Sequence, residues 1–290
     1  MQNITITRTA REMLKSLHRL TAAEGWNYGL DNLRAIYDFD PLGSFCAIDD
    51  NSDMVGHLIG AHVKPDLVMG GLFIVREDMR GKGIGKALFE ERSKYVGDAN
   101  FGISIGSTRL VKHKELYTAR HYAFEIIGYG GKRGPLIKAP EKYKIVPISR
   151  VDFGELARYD TKICHGMERS RFLNRWAAGL QSRSLVALDG NTIVGYATLR
   201  PADRGYRIAP LYGDTPDAIA ALFHAITAKH TEEDDHVFMN VPTTNDGMMQ
   251  IVSDLGLTSA YSLKRMFTKE ILMPPLQKIG SLMTMEVTTC

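Results

Sequence analysis

The sequence predicts a mixed α+β chain of two similarly built halves, each a largely antiparallel sheet flanked by helices. Three observations carry that expectation. Short apolar strand patterns alternate with amphipathic helical patterns along the chain, which favours layers of sheet and helix. The order of elements runs twice: a helical start, a meander of strands, then helix, strand, helix and strand, without obvious sequence identity between the runs. Between them lies Lys138–Lys144, charged and containing Pro140, and domain boundaries fall in such linkers. The expected division is residues 1–140 and residues 141–290.

In the first half, residues 3–8 alternate as a short strand. Residues 9–24 read as a helix with Met13, Leu14, Leu17 and Leu20 on one face and Thr9 as candidate N-cap. The loop Gly25-Trp26-Asn27-Tyr28-Gly29 precedes a second short helix at 30–37. Ser44–Asp49 and Met54–Val63 read as strands joined by the turn Asp50-Asn51-Ser52-Asp53. Lys64-Pro65-Asp66 ends the second, and Leu67–Val75 is a third, more apolar strand. From Gly83 the period becomes helical through Ile84, Ala87, Leu88, Glu91 and Tyr95, with a stop near Gly97. Phe101–Ile105 is a buried strand, a helix is expected over about 112–123, and Phe124–Gly128 opens another strand. Gly128–Pro135 holds four glycines and a proline and is expected to be irregular.

In the second half, strands are expected at Ser184–Leu188, Thr192–Leu199 and Arg207–Leu211. A helix follows over Thr215–Lys229, with Thr215 capping and Pro216 at the first position. His236–Val241 is a strand, Asp246–Leu255 a helix and Ser262–Lys269 a strand. The tail, residues 274–290, shows no clear pattern.

Composition narrows the function classes. With 290 residues, 44% hydrophobic and 24% charged, the chain can bury one or two cores. A net charge of +3 without a long basic run argues against nucleic acid as a partner. Cys46, Cys164 and Cys290 are odd in number and widely spaced, which argues against disulfides and zinc and fits a reducing compartment. No HExxH or Cys/His cluster appears among nine histidines, so no metal is expected. No apolar run reaches the roughly 20 residues of a membrane span, and the N-terminus lacks a leader's apolar core. The expectation is a soluble cytoplasmic protein without a membrane partner.

The informative stretch is Arg80-Gly81-Lys82-Gly83-Ile84-Gly85, placed where an apolar strand turns into a helix. Amides at a helix start lack intrahelical partners and attract anions, and glycines let the backbone approach closely. Arg80, Lys82 and Lys86 add positive charge suited to a pyrophosphate. A dinucleotide fingerprint fails, because the sixth position from Gly81 is Lys86 instead of glycine. A Walker loop fails as well: Arg80 stands where its first glycine belongs, and Ala87 cannot ligate magnesium.

What remains resembles the acetyl-CoA signature of the GNAT acetyltransferases, Arg/Gln-x-x-Gly-x-Gly/Ala, which Arg80–Gly85 fits at every position. Gly71–Met79 is similar to the strand and turn that precede it in that family. The resemblance implies that Arg80, Gly81, Lys82, Gly83, Ile84, Gly85 and Lys86 hold the pyrophosphate of acetyl-CoA. It implies that backbone groups of Phe73, Ile74 and Val75 bind pantetheine and polarise the thioester carbonyl. A family pattern Tyr-x-x-x-Gly-Phe is matched in part by Tyr117 and Tyr122, with His121 in the glycine position. That makes Tyr117 the candidate acid for the leaving thiolate. Trp26, Tyr28 and Asp31 sit where relatives close the acceptor site. A base is missing: some members carry a glutamate on the fourth strand, but Leu67–Val75 has no acidic residue. His57 and His62, an odd number of positions apart, point to opposite faces of their strand.

The second half resembles the degenerate C-terminal domain of two-domain YitH-type acetyltransferases at Val194–Pro201, Tyr206–Tyr212 and Leu255–Leu257. Gly213-Asp214-Thr215-Pro216-Asp217 replaces the glycine loop there, and its carboxylates would repel a pyrophosphate. The implied activity is transfer of acetyl from acetyl-CoA to a primary amine of a small molecule or peptide, by direct attack in a ternary complex. The alternatives are a non-catalytic acyl-CoA sensor, or use of another acyl-CoA.

Overall fold

The computed structural model describes residues 3–106, 120–136, 138 and 140–290. It divides into two compact units. The first comprises residues 1–122 with Met266–Ile271 and Met285–Thr288, and the second Ala123–Arg265 with Leu272–Thr284 and Thr289–Cys290. Both units draw on the C-terminal stretch of the chain.

In the first unit the strand order is β1 (Thr5–Arg8), β2 (Ser44–Ile48), β3 (Met54–Lys64), β4 (Leu67–Val75) and β5 (Asn100–Ile105). The first four pair antiparallel and β5 joins β4 in parallel. Met266–Ile271 returns along β5: Thr268 donates its amide to Phe101 O at 3.0 Å, and Asn100 Nδ2 donates to Glu270 O at 2.7 Å. Helices α1 (Leu14–Ala23) and α2 (Leu30–Phe39) bury Leu14, Leu17, Leu33 and Ile36. Helix α3 (Ile84–Val96) lays Ile84, Leu88 and Phe89 against Phe45, Val55, Val68 and Phe101. Thr9 does not cap a helix. Its amide extends the β1–β2 pairing to Ser44 O at 2.9 Å, and a short 3-10 turn, Arg11–Met13, starts the helical segment instead.

In the second unit the order is β12 (Thr258–Phe267, its last two residues counted with the first unit), β6 (His121–Lys132, its first two likewise), β11 (His236–Pro242), β10 (Tyr206–Gly213), β9 (Thr192–Pro201), β8 (Arg183–Asp189) and β7 (Lys144–Pro147). Helices α4 (Phe153–Ile163), α5 (Ser170–Ala177), α6 (Pro216–His230) and α7 (Asp246–Asp254) complete it. The core joins Leu185, Ala197 and Leu211 of the sheet to Leu222, Phe223 and Ile226 of α6. Thr215 caps α6 as expected, accepting from the Ala218 amide at 3.1 Å with Pro216 at the first position.

Three expectations are corrected here. The helix read over about 112–123 falls mostly outside the described residues, but His121–Ala123 belongs to β6. The glycine-rich stretch from Gly128 is strand as far as Lys132, because its glycines make room for neighbours. A Cβ at Gly128 would stand 2.3 Å from the Tyr261 ring, and one at Gly130 would stand 2.6 Å from Phe238. The cysteine reading also fails: Cys164 at the end of α4 is bonded to Cys290, with Cα atoms 5.6 Å apart, while Cys46 is buried and unbonded. The 126-residue separation hid a pair that the fold of the tail brings together.

That tail is the largest surprise. Residues 279–290 are all buried. Ile279–Ser281 forms β13, which pairs antiparallel with β10. Among the described residues, no helix is long and apolar enough to cross a membrane.

Candidate active site

The site in the first unit is built on β4. This strand pairs with β3 along its whole length, but its ladder with β5 runs only from Leu67–Asn100 to Gly70–Ile103. Past Gly70 the strand bulges: Gly71 stands opposite Ile59 and Ile74 opposite His57, so Leu72 and Phe73 share the place opposite Leu58. A bulge bends a strand away from its neighbour, and among the described residues no ladder continues along the outer edge of residues 71–75. Leu72 has φ 47°, a left-handed conformation that costs a side-chain-bearing residue roughly 1–2 kcal/mol.

His57 holds the bulge in place. Its Nδ1 lies 3.2 Å from Leu72 O and its Nε2 lies 2.9 Å from Ser44 Oγ. A carbonyl only accepts, so Nδ1 carries the proton and the Ser44 hydroxyl donates to Nε2. Burial pushes the His57 pKa down to about 4, against the opposing effect of the Leu72 bond. The ring is therefore neutral at neutral pH, with both nitrogens engaged, and acts as a pin. His62 is bonded to Tyr95 O at 3.3 Å and meets the Tyr95 ring edge-on.

After β4 the chain makes a 3-10 turn at Glu77–Met79, anchored by buried Met79. Gly81 and Gly83 follow with φ +77° and +81°, and a Cβ at either would meet nothing within 4 Å. Glycine serves here for its left-handed conformation, and the space above the loop is open. Gly83 is the N-cap of α3 and supplies no side-chain cap, so the first-turn amides keep their anion-binding capacity. Gly85 serves differently. A Cβ there would stand 3.0 Å from Phe73 Cζ, so Gly85 seats α3 on Phe73, which meets Phe89 edge-on. Arg80 donates from Nε to Val75 O at 2.9 Å and forms an ion pair with Glu24. Lys82 Nζ lies 3.3 Å from Met79 Sδ, and Lys86 is exposed.

The structure thus gathers Phe73, Ile74, Val75 and Arg80 through Lys86 into one strand end, loop and helix start. Ile74 is buried on the face toward α1, and with Leu20, Ala23, Glu24 and Arg76 it lines a cleft of about 440 Å³. Trp26 and Tyr28 lie in the loop between α1 and α2, and Asp31 in the first turn of α2. Tyr117 lies outside the described residues. One residue was missed by sequence reasoning: the Tyr28 hydroxyl donates to the carboxylate of Glu286, in the tail. The available signal was charge. Glu286 is the single charged residue among residues 281–290, and a run so poor in charge belongs in an interior.

The corresponding place in the second unit is filled. Parallel pairing of β10 with β11 is confined to Tyr206–Val237 and Arg207–Phe238. Beyond it β13 takes the gap: Leu211 pairs with Ser281 and Tyr212 with Ile279, while the Leu282 amide donates to Asn240 O at 2.9 Å. Gly280 lets the tail lie this close, since a Cβ there would stand 2.9 Å from Ile219. At the helix start, Thr215 already occupies an amide, and Asp214 accepts from Lys278 at 2.9 Å.

Known proteins share this architecture. The model described as "Acetyltransferase (GNAT) family" matches residues 11–109, and that described as "Acetyltransferase (GNAT) domain" matches residues 156–279. An uncharacterized protein of Caenorhabditis elegans is 23% identical over 276 residues, covering 88% of this chain and 87% of its own length. A putative acetyltransferase structure from Pyrococcus horikoshii superposes with a TM-score of 0.78 at 15% identity, covering 99% of this chain and 96% of the other. A GCN5-related N-acetyltransferase structure from Sphaerobacter thermophilus gives a TM-score of 0.64 at 12% identity, covering 99% and 98%. Among the described residues, no group of three His, Cys, Asp or Glu is placed to hold a metal ion. With a GNAT model matched in each half and the fold shared end to end, the chain belongs to the GNAT acetyltransferases, as an acyltransferase of two tandem GNAT domains whose fold uses acyl-CoA as co-substrate.

Proposed function

We propose that the first unit transfers acetyl from acetyl-CoA to a primary amine of a small molecule or peptide, by direct attack in a ternary complex. The observation that carries this reading is the opening of β4 from β5 after Gly70, immediately before a glycine loop that starts α3 without a side-chain cap. The residues present fit the group. Amides at Gly81, Gly83 and the first turn of α3, with Lys82 and Lys86, suit a pyrophosphate, and the bulged edge at Phe73–Val75 suits the amide-bearing pantetheine. Val75 O accepts from Arg80 and Leu72 O from His57, and the Leu72–Ile74 stretch so held is proposed to orient the acyl group. Bound acetyl-CoA supplies an activated thioester. Phe73 packed against Gly85 and Phe89 narrows the edge, which favours acetyl over a long acyl chain. Trp26, Tyr28 and Asp31 are proposed to line the acceptor side, and Tyr117 is proposed as the acid that protonates the leaving thiolate. The cut between residues 1–140, with the catalytic domain, and residues 141–290 is proposed for the family repeats; the matched spans fall on either side of it. The test is CoA release across a panel of primary amines, with acetyl-CoA affinity measured in parallel. Turnover with one amine class supports transfer. Tight binding without turnover on any amine would make the chain an acyl-CoA sensor, and preference for a longer acyl-CoA would replace the donor.

A further inference from the structure

The carboxylate that β4 lacks is delivered to it by the end of the chain. Glu286 belongs to the Met285–Thr288 stretch of the first unit, 4% exposed, and lies directly over Gly71. A Cβ on Gly71 would stand 2.6 Å from Glu286 Cγ and 3.4 Å from its Cα. Gly71 is therefore the seat for this residue, and no side chain fits there while Glu286 is in place. Gly71 is also the first residue past the last β4–β5 pair and the last before the bulge.

The face can be assigned. Gly60 pairs with Gly70, and a Cβ on Gly60 would meet Arg92 of α3. Successive strand residues alternate, so Gly71 faces away from α3, toward α1 and α2. Glu286 is held on that side by the loop between those helices. Tyr28 Oη donates to Oε1, and the Met285 amide donates to Oε2 at 3.0 Å. A carboxylate seated on the bulge, opposite the side on which α3 packs, stands where an amine would approach an acyl group held at Leu72–Ile74.

We propose that Glu286 is the proton acceptor for the attacking amine, with Tyr28 as its positioning residue; this rests on the acetyl-transfer reading above. In the step, the acceptor ammonium gives one proton to the Glu286 carboxylate and becomes the neutral amine. Its nitrogen lone pair forms the C–N bond to the thioester carbon, and the C–S bond breaks. The sulfur leaves with the bond pair and is protonated by the acid proposed above, which regains the second nitrogen proton, giving amide and free thiol. Glu286 then returns its proton to solvent.

The experiment compares wild type, Glu286→Gln and Tyr28→Phe in the full chain, with acetyl-CoA and the best amine from the panel. It records kcat across pH, acetyl-CoA affinity by calorimetry, and the thermal midpoint. Glu286→Gln is expected to lose about 100-fold or more in kcat and the acidic limb of the pH profile, with acetyl-CoA affinity unchanged. Wild-type kcat and an intact acidic limb in Glu286→Gln would overturn the assignment. If Glu286→Gln fails to fold, Tyr28→Phe decides. Losing a donor to the carboxylate raises its pKa, so the acidic limb should move to higher pH, and a limb that stays put overturns the proposal. A wild type that binds no acetyl-CoA and acetylates no amine would overturn the reading beneath it, which is a different result from an active enzyme indifferent to Glu286.

Discussion

The two units present the same opening in the sheet and treat it in opposite ways. In the first, β4 leaves β5 after Gly70, and among the described residues no strand pairs along the edge beyond. In the second, β10 leaves β11 after Arg207 and the tail strand β13 takes its place. The helix starts differ in the same sense. α3 begins at a left-handed glycine without a side-chain cap, among Arg80, Lys82 and Lys86. α6 begins at a capping threonine with Asp214 and Asp217 beside it. The first opening lies beside a glycine loop with positive charge, and the second is taken by β13 beside carboxylates. The lesson is that a parted pair of strands is a binding site only while no segment of the chain fills it.

The comparison can be broken most forcefully at Gly83. Gly83→Asp places a charge at the anion site and a side chain at φ +81°, and should weaken acetyl-CoA binding by about 100-fold or more. Asp217→Ala, at the helix start of the second unit, should leave that affinity unchanged in the same calorimetry.

The bulge that parts β4 from β5 depends on a neutral His57. Its folded pKa of about 4 lies below the ordinary 6.5, so the unfolded chain binds the extra proton between those values. Stability from this group is fully present above pH 6.5 and is lost as pH falls toward 4, by about 3 kcal/mol at most. Urea unfolding of wild type and His57→Gln at pH 7 and pH 4.5 measures the difference, and an equal acid loss in both would remove His57 from the account.

Two smaller effects sharpen the contrast. Thr215→Ala removes the cap that occupies the second helix start and should cost about 1 kcal/mol in unfolding free energy, with no gain of acyl-CoA binding. Glu24→Gln releases Arg80 from its ion pair. The pair is partly exposed and therefore weak, so acetyl-CoA affinity should tighten by no more than about fivefold.

Much of both units is legible because local chemistry decides it. Leu67–Val75 has the bounds expected from its apolar run, and Thr215-Pro216 starts its helix as a capping threonine before proline should. The loop at Arg80–Gly85 could be read because only glycine adopts those conformations cheaply. What the sequence hid is long-range. Gly128 and Gly130 look like turn residues, and only Tyr261 and Phe238 lying against them reveal a strand. Cys164 and Cys290 meet through the path of the tail, which no spacing rule reports. Glu286 is illegible for the same reason: the family pattern puts a base on β4, while the residue over Gly71 lies more than 200 positions further along the chain.

The most direct test of the contrast is the stoichiometry of acetyl-CoA binding to the intact chain by calorimetry. One equivalent per chain, abolished by Gly83→Asp, is the expected result. Two equivalents, or one that survives Gly83→Asp, would mean that the second opening takes acyl-CoA despite its tail, and would contradict the division of roles between the units.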